Sequence, residues 1–282
     1  MNMKIVPNML ALLSLAAILP VSATTVFYDF NDPNQLGWNG ITSDSDTATW
    51  SSSGGIDNTG RILSGGTGDR TRMITTETSF NGSLGELSIG LYFNADPNDT
   101  DGQTDDRASH IGFKDNALAG QTRNASPGIR FDEADHAVSV RLASLDDNGL
   151  KVLDLYTGGS SHGTTDPIPL NGGNWYYWSA TFTPTGDGIW DLSSSINSVN
   201  QDTFEVGGLV NNAFISATGV SGPSFDDFTE VWGGVALAPA PRTDRGTLNA
   251  IDDVTITAIP EPGTLMLVGI AIGSLLCFRR RG

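Results

Sequence analysis

The sequence has 282 residues, with 15 lysines and arginines against 32 aspartates and glutamates, and a formal net charge of −17. Nucleic acid is excluded as a default partner, because this charge repels a phosphate backbone. One cysteine excludes a disulfide framework and a thiolate zinc site, and 34 glycines disfavour a helical bundle.

The N-terminal segment predicts a secretory signal peptide over residues 1–23. Lys4 supplies the positive charge, Met9–Leu19 is an apolar run, and Val21–Ala23 is a small-residue cleavage site. The apolar run is too short to cross ~30 Å of hydrocarbon. We therefore expect cleavage after Ala23; the alternative is a retained N-terminal anchor.

The region that follows, residues 24–259, is predicted to be one all-β domain. Short runs rich in β-branched and aromatic residues recur between turn-forming clusters, and no window keeps a helical period without glycine or proline. Loops are predicted between them, among others at Asp96–Asp106 and Gly158–Thr165. The predicted strands are Val26–Phe30, Thr71–Thr75, Leu87–Phe93, His110–Lys114, Gly128–Asp132, Ala137–Leu142, Lys151–Tyr156, Trp175–Thr183, Ile189–Ile196, Val231–Leu237 and Ala250–Ala258.

The strand at Trp175–Phe182 shows the expected sidedness. Side chains alternate along a strand, so the set at 176, 178, 180 and 182 is predicted to face the core between two sheets. The set beginning at Trp175 becomes more polar along the strand and is predicted to face solvent or a shallow groove.

Three segments resemble a LamG-like or concanavalin A-like jelly roll. They are Tyr28-Asp29-Phe30 in the first strand, Gly173-Asn174-Trp175-Tyr176 before a central strand, and Ile251–Ile256 in the last strand. The resemblance implies a two-sheet sandwich in which the first and last strands are neighbours.

Calcium is the one cofactor that the sequence suggests. Hard oxygen ligands are dense in the loop Asp96–Asp106, in which Asp96, Asn98, Asp99 and Asp101 are the candidates. A second candidate couples Asp29 or Asp32 with Asp252 or Asp253, because the terminal strands are expected to adjoin. The alternative for the loop is a solvated anionic segment that keeps an exported protein soluble.

No catalytic residue is predicted. A glycosidase needs two carboxylates flanking the scissile bond, and the nearest pattern, Glu133-Ala134-Asp135, lacks a second glutamate. The histidines His110, His136 and His162 have no metal-ligand spacing. The absence of a catalytic pattern favours a protein that is not an enzyme.

The C-terminus carries three features in a fixed order. Pro260-Glu261-Pro262 precedes the uncharged run Thr264–Phe278, which is predicted to be a transmembrane helix, and Arg279, Arg280 and Arg281 follow it. The arginines are expected to stay cytoplasmic, so the domain lies outside the inner membrane. The segment 260–282 resembles a PEP-CTERM protein-sorting signal; the alternative is an ordinary C-terminal anchor. This resemblance implies a Gram-negative bacterium that makes extracellular polysaccharide, and cleavage by an exosortase near Glu261.

These observations favour an exported cell-surface or matrix protein whose sandwich contacts carbohydrate. Trp38, Trp50, Trp190 and Trp232 are candidates for a sugar-stacking platform, although a large sandwich needs big side chains in its core and each alone is rather expected to be buried there. The alternatives are a glycoside hydrolase or lyase on the same scaffold, and a structural matrix protein without a ligand.

Overall fold

The fold is built from fifteen described strands and one 3₁₀ turn, Ile56–Asn58. The structure is a computed structural model that describes residues 23–31, 49–63, 72–75, 79–81, 84–96, 109–115, 137–144, 150–225, 230–237 and 248–260. The strands are β1 (Thr24–Tyr28), β2 (Thr49–Ser51), β3 (Arg61–Leu63), β4 (Arg72–Thr75), β5 (Phe80–Asn81), β6 (Leu84–Ala95), β7 (Ser109–Lys114), β8 (Ala137–Ser144), β9 (Lys151–Thr157), β10 (Ser160–Thr164), β11 (Trp175–Gly186), β12 (Ile189–Val199), β13 (Val206–Ser221), β14 (Glu230–Leu237) and β15 (Leu248–Pro260).

The strands form two antiparallel sheets. The eight-stranded sheet has the order β13-β12-β11-β6-β15-β3-β2, with β1 also paired to β15. The seven-stranded sheet has the order β10-β9-β8-β7-β14-β4, with β5 paired to β14. Neighbours in each sheet are often far apart in the sequence, which is the connectivity of a jelly-roll sandwich.

A single large core lies between the inner faces of the two sheets. Both sheets contribute buried side chains to it, among them Leu91 and Trp178 from the eight-stranded sheet and Val140 and Leu155 from the seven-stranded sheet. Each strand alternates one side toward this core, because successive side chains point to opposite faces of a sheet. The predicted all-β, two-sheet architecture is confirmed.

The first and last strands are neighbours, as the jelly-roll resemblance implies. β1 pairs antiparallel with β15, from Thr24 opposite Ala258 to Tyr28 opposite Val254. The predicted sidedness of β11 is also confirmed, since Tyr176, Trp178, Ala180 and Phe182 all belong to the core.

Trp175 departs from the expected solvent-facing position. It is buried in a second, smaller apolar cluster with Ile56, Val199 and Ala250. The 3₁₀ turn contributes Ile56 and so covers this end of the outer face, which the periodicity of β11 alone does not reveal.

Five strands occur where the sequence did not predict them, namely β2, β3, β5, β10 and β13. β10 lies inside the segment Gly158–Thr165, which was predicted to be a loop, and that prediction is wrong. β13, with 16 residues, is the longest of the five. The strand predicted at Gly128–Asp132 lies outside the described residues, as do residues 1–22 of the predicted signal peptide 1–23 and the predicted span Thr264–Phe278. Within the described ranges, no helix has the length and apolar character needed to cross a membrane.

Candidate functional site

Asp252, one of the predicted calcium ligands, has its carboxylate occupied by protein donors. It is fully buried, and its Oδ2 accepts a hydrogen bond from the backbone N–H of Ile56 at 2.8 Å and lies 3.0 Å from the hydroxyl of Thr59. Its Oδ1 accepts from the backbone N–H of Asp253 at 2.8 Å. Burial raises the pKa of Asp252 to about 7. These contacts tie Asp252 to the 3₁₀ turn. Calcium binding by Asp252 stays a prediction.

Asp29, Asp57 and Asp253 lie at the same corner of the eight-stranded sheet. Burial, together with the negative charges of Asp29 and Asp57, raises the pKa of Asp253 to about 6. The sequence therefore correctly expected the region of Asp29 to approach the region of Asp252. Asp29, however, accepts hydrogen bonds from the backbone and side chain of Asn31.

Among the described residues, no group of three or more carboxylate, imidazole or thiol side chains is arranged to hold a metal ion. The second candidate site lies mostly outside those residues, because Asn98, Asp99 and Asp101 are not described. Asp96 is described, and its charge raises the pKa of the buried Lys151. Burial is the larger effect and lowers the pKa of Lys151 to about 8. Calcium binding by the Asp96–Asp106 loop stays a prediction.

A cluster of polar side chains occupies the outer face of the seven-stranded sheet. The inner face of β7, β8, β9 and β14 holds core residues, so the alternate positions project outward. We call this surface the polar face and define it by His110, Lys114, Ser139, Arg141, Asp154, Tyr156 and Trp232.

The register of the strands places these side chains in adjacent rows. His110 lies opposite Arg141, and Arg141 lies opposite Asp154. Ser139 lies opposite Tyr156 on one side, and Trp232 lies opposite Lys114. Side chains directly opposite one another on a sheet have Cβ atoms ~4.5–5.5 Å apart, and diagonal neighbours ~7–8 Å. The rows therefore form one continuous patch.

Arg141 organises the centre of the polar face. Its Nε and Nη2 donate hydrogen bonds to Asp154 Oδ2 at 2.8 and 2.5 Å. Its guanidinium carbon lies 5.0 Å from the centroid of the Tyr156 ring, which is a cation–π contact. The Arg141 side chain is 23% exposed and that of Asp154 only 2%, so the pair is reached by solvent from the Arg141 side.

Lys114 and Ser139 are buried members of the polar face, and we call this pair its floor. Lys114 is only 3% exposed and Ser139 is fully buried. The Ser139 hydroxyl is fully buried and has no hydrogen-bond partner. Among the described residues, the one interaction found for the Lys114 ammonium is its electrostatic attraction to Asp115. Burial lowers the pKa of Lys114, an effect that the charge of Asp115 opposes. Buried polar groups in native proteins are almost always hydrogen-bonded, so these two groups require an explanation.

The outer face of the eight-stranded sheet has a different character. One row of hydroxyl side chains crosses six adjacent strands, and none of its members is buried. In the neighbouring row on the same face, Phe27 lies on β1 and Phe214 on β13, and they are 55% and 56% exposed. The row of hydroxyl side chains contains Thr25, Thr257, Ser88, Thr181, Ser193 and Ser216.

The tryptophans proposed as a sugar platform separate into two groups. Trp190 is 2% exposed and donates from Nε1 to the carbonyl of Pro223 at 2.8 Å, so it is a core residue. Trp50 donates to the carbonyl of Phe30 at 2.7 Å and packs against the core. Trp232 is half-buried on the polar face. Trp38 lies outside the described residues.

The remaining candidate residues are only partly within the described chain. Glu133 and His136 are outside it, and His162 lies 2.5 Å from the hydroxyl of Thr157 at the sheet edge. Of the sorting motif, Pro260 ends β15, whereas Glu261, Pro262, Arg279, Arg280 and Arg281 are not described. The sequence did not reveal the polar face: His110, which has no metal-ligand spacing, gave no sign that it lies beside Arg141.

Comparison with known families identifies the C-terminal segment. Residues 258–281 match the family described as the PEP-CTERM protein-sorting motif. The chain thus carries a PEP-CTERM sorting motif, which implies export, a membrane-anchored sorting signal and processing by an exosortase. No curated protein matches the sequence of the chain.

Comparison with solved structures identifies the fold of the sandwich as that of lectin-like, concanavalin A-like jelly rolls. The lectin UEA-II complexed with galactose superposes with a TM-score of 0.54 at 13% identity, covering 83% of this chain and 98% of that one. Lectin II from Ulex europaeus gives 0.50 at 11% identity, covering 84% and 98%. An endo-β-1,4-glucuronan lyase from the fungus Trichoderma reesei gives 0.49 at 13% identity, covering 84% and 98%.

Proposed function

We propose that this chain is an exported, non-catalytic carbohydrate-binding protein of the extracellular polysaccharide matrix of a Gram-negative bacterium. The sorting motif supports export, and the lectin-like fold supports carbohydrate binding. The binding surface is the polar face of the seven-stranded sheet. Before exosortase cleavage near Glu261, the chain is held in the inner membrane by the span Thr264–Phe278.

The observation that carries this proposal is the pair of buried polar groups at the floor of the polar face. A buried donor without a partner costs ~1–3 kcal/mol, and more when it is charged. The Ser139 hydroxyl is in this condition. Lys114 beside it is only 3% exposed and makes no hydrogen bond to a described residue. Sugar hydroxyls both donate and accept hydrogen bonds, so a bound sugar would satisfy both groups.

The aromatic side chains beside the floor support the same interpretation. Tyr156 is held in place by the guanidinium of Arg141, and Trp232 lies opposite Lys114 and keeps part of its ring exposed. Aromatic rings with one apolar surface and a polar tip suit ligands that are themselves amphipathic. A sugar ring has an apolar C–H face and a polar rim, so it would stack on Trp232 while its hydroxyls reach the floor.

The carboxylates on this surface argue against hydrolysis. Among the described residues, Asp154 and Glu230 are the carboxylates that project from the outer side of the seven-stranded sheet. Asp154 is bound by Arg141, and Glu230 lies three strands away and ~20 Å further along the strands. A glycosidase needs two carboxylates ~5–9.5 Å apart.

A lyase remains the alternative enzyme, and one arrangement favours it. His110 lies directly opposite Arg141, and Tyr156 contacts the same guanidinium. A polysaccharide lyase needs a base that removes a proton from the sugar, and beside it a cation that neutralises the carboxylate of the substrate. A structural matrix protein without a ligand is the third reading, and it predicts that no glycan binds.

The test is a glycan array probed with the full chain purified in detergent, run with calcium and with a chelator. We expect binding that Ser139→Ala and Trp232→Ala weaken. Ser193→Ala, on the outer face of the other sheet, should leave binding unchanged. An array without signal, or binding that all three variants retain, would refute the proposal. Release of unsaturated sugar ends during incubation would instead establish the lyase.

A further inference from the structure

We infer that the ligand of the polar face is an acidic sugar, a uronic acid or another carboxylate-bearing residue, with Lys114 as its counter-ion. This inference rests on the proposed function and names the chemical class of ligand for the same surface.

The distribution of charge is the first step. Removing Lys4, Arg279–Arg281 and Glu261 leaves 11 basic and 31 acidic residues in the segment 24–259, a net charge of −20. Only two lysines remain in that segment, Lys114 and Lys151. Basic residues are therefore scarce in this segment. The polar face nevertheless holds three basic side chains close together, namely Lys114, His110 and Arg141.

The pairing of those basic groups is the second step. Arg141 is neutralised by Asp154 through two hydrogen bonds. Lys114 has no comparable partner among the described residues, and Asp115 only attracts it electrostatically. Lys151, by contrast, projects to the inner side of β9 and is attracted by Asp96. The positive charge that is left over on the polar face therefore belongs to Lys114.

The cost of burying this ammonium is the third step. Removing an ion from water is expensive unless an opposite charge and hydrogen bonds compensate it. A bound carboxylate would supply both, because one oxygen can accept from the Lys114 ammonium and the other from the Ser139 hydroxyl. The two residues are diagonal neighbours across β7 and β8, with Cβ atoms ~7–8 Å apart, a separation that one carboxylate can bridge. A neutral sugar would leave the charge uncompensated.

The experiment compares two forms of one polymer, polygalacturonate and the same polymer after chemical reduction of its carboxyl groups. Affinity of the full chain is measured for both. We expect tighter binding to the acidic form, and we expect Lys114→Met to weaken that binding at least ~10-fold while leaving binding to the reduced form unchanged. Added salt should weaken binding to the acidic form alone.

Lys151→Met is the matched control, because it removes the same charge from the same chain at a position away from the polar face. The melting temperature of each variant separates a binding role from a structural one. Lys114→Met should raise it, since an uncompensated buried charge is removed. Should Lys114→Met fail to fold, Ser139→Ala tests the same preference.

Equal or tighter binding to the reduced polymer would overturn the acidic-ligand inference and leave carbohydrate binding intact. Binding to neither polymer and to no glycan of the array would overturn both. A Lys114→Met protein that melts at a lower temperature and keeps its preference for the acidic polymer would show that Lys114 serves the fold alone.

Discussion

The carboxylate of Asp252 accepts a hydrogen bond from the backbone N–H of Ile56, 196 residues earlier in the chain, at 2.8 Å. Through this contact and the Thr59 hydroxyl, β15 holds the 3₁₀ turn over one end of the eight-stranded sheet. Asp252→Ala would leave those donors buried without an acceptor. We expect the free energy of unfolding to fall by ~2 kcal/mol, measured by urea denaturation. Asp166→Ala, at an exposed position, is the control and should change little.

The pH dependence of stability follows from the same residue. The pKa of Asp252 is about 7 in the folded chain against 3.8 as its ordinary value, so the folded state binds the proton more tightly. This contribution to stability is full below pH ~3.8 and is lost as the pH rises through about 7. A protonated Asp252 also suits Thr59, whose single hydroxyl proton is then free for the carbonyl of Ile56.

The measurement is the melting temperature of the wild type and of Asp252→Asn between pH 5 and pH 8. The wild type should lose more stability than the variant over this range. Parallel curves for the two proteins would contradict the assignment, because other carboxylates contribute equally to both.

Gly112 lies next to Ser139 on the polar face, at a position where the structure has no space for a side chain. A Cβ there would lie 2.3 Å from the carbonyl oxygen of Val138 and 2.7 Å from the Cβ of Ser139. Gly112→Ala should therefore destabilise the protein by ~1–3 kcal/mol, because β7 and β8 must separate to accommodate the methyl group. Gly208→Ala is the control, since no atom lies within 4 Å of its added Cβ. Equal melting temperatures for the two variants would count against this packing.

Trp190 and Trp232 are expected to respond in opposite ways to substitution by phenylalanine. Trp190→Phe removes a buried hydrogen bond to the carbonyl of Pro223 and leaves a cavity, so stability falls by ~1–3 kcal/mol and glycan binding stays unchanged. Trp232→Phe reduces the exposed ring on the polar face, so binding weakens and the melting temperature changes little. Denaturation and glycan affinity, measured on both proteins, decide the assignment.

Processing of the sorting motif gives a prediction that does not depend on the sandwich. Mass spectrometry of the extracellular protein should find a C-terminus near Glu261, without the segment Thr264–Gly282. Glu261→Ala should keep the chain in the inner membrane, whereas Glu205→Ala should be processed normally. An extracellular form that ends in Arg279–Arg281 would refute cleavage.

Strand prediction succeeded where one face of the strand is buried. The alternation in β11 could be recognised in the sequence because Tyr176, Trp178 and Phe182 are large apolar side chains that all pack in the core. β13 lies at the edge of its sheet, and Ala213 is its only fully buried side chain, so no period of two appears in the sequence. β10 is an edge strand with exposed polar residues and resembled a loop for the same reason.

The candidate site was harder to predict, because it depends on which strands are neighbours. β7 pairs with β14 more than a hundred residues later, and this pairing brings Trp232 beside Lys114. The sequence did predict that β1 and β15 adjoin. It did not reveal the register shift between Asp252 and Thr255, where Asp253 has a positive φ of 46°, or the 3₁₀ turn that occupies the Asp252 carboxylate. The sequence did contain one indication of the polar face. In β8, polar residues at 139 and 141 alternate with apolar residues, as expected for a strand with one polar side.

The match to the sorting motif begins at residue 258, within β15 itself. A pull applied at Pro260 therefore enters the sandwich through a strand that is hydrogen-bonded to β6 on one side and to β1 on the other. Because inter-strand bonds run perpendicular to the strands, a force along β15 loads many of them in shear at once, whereas an edge strand would peel away one bond at a time. While it is still tethered, the domain is thus attached through a strand whose hydrogen bonds on both sides share the load.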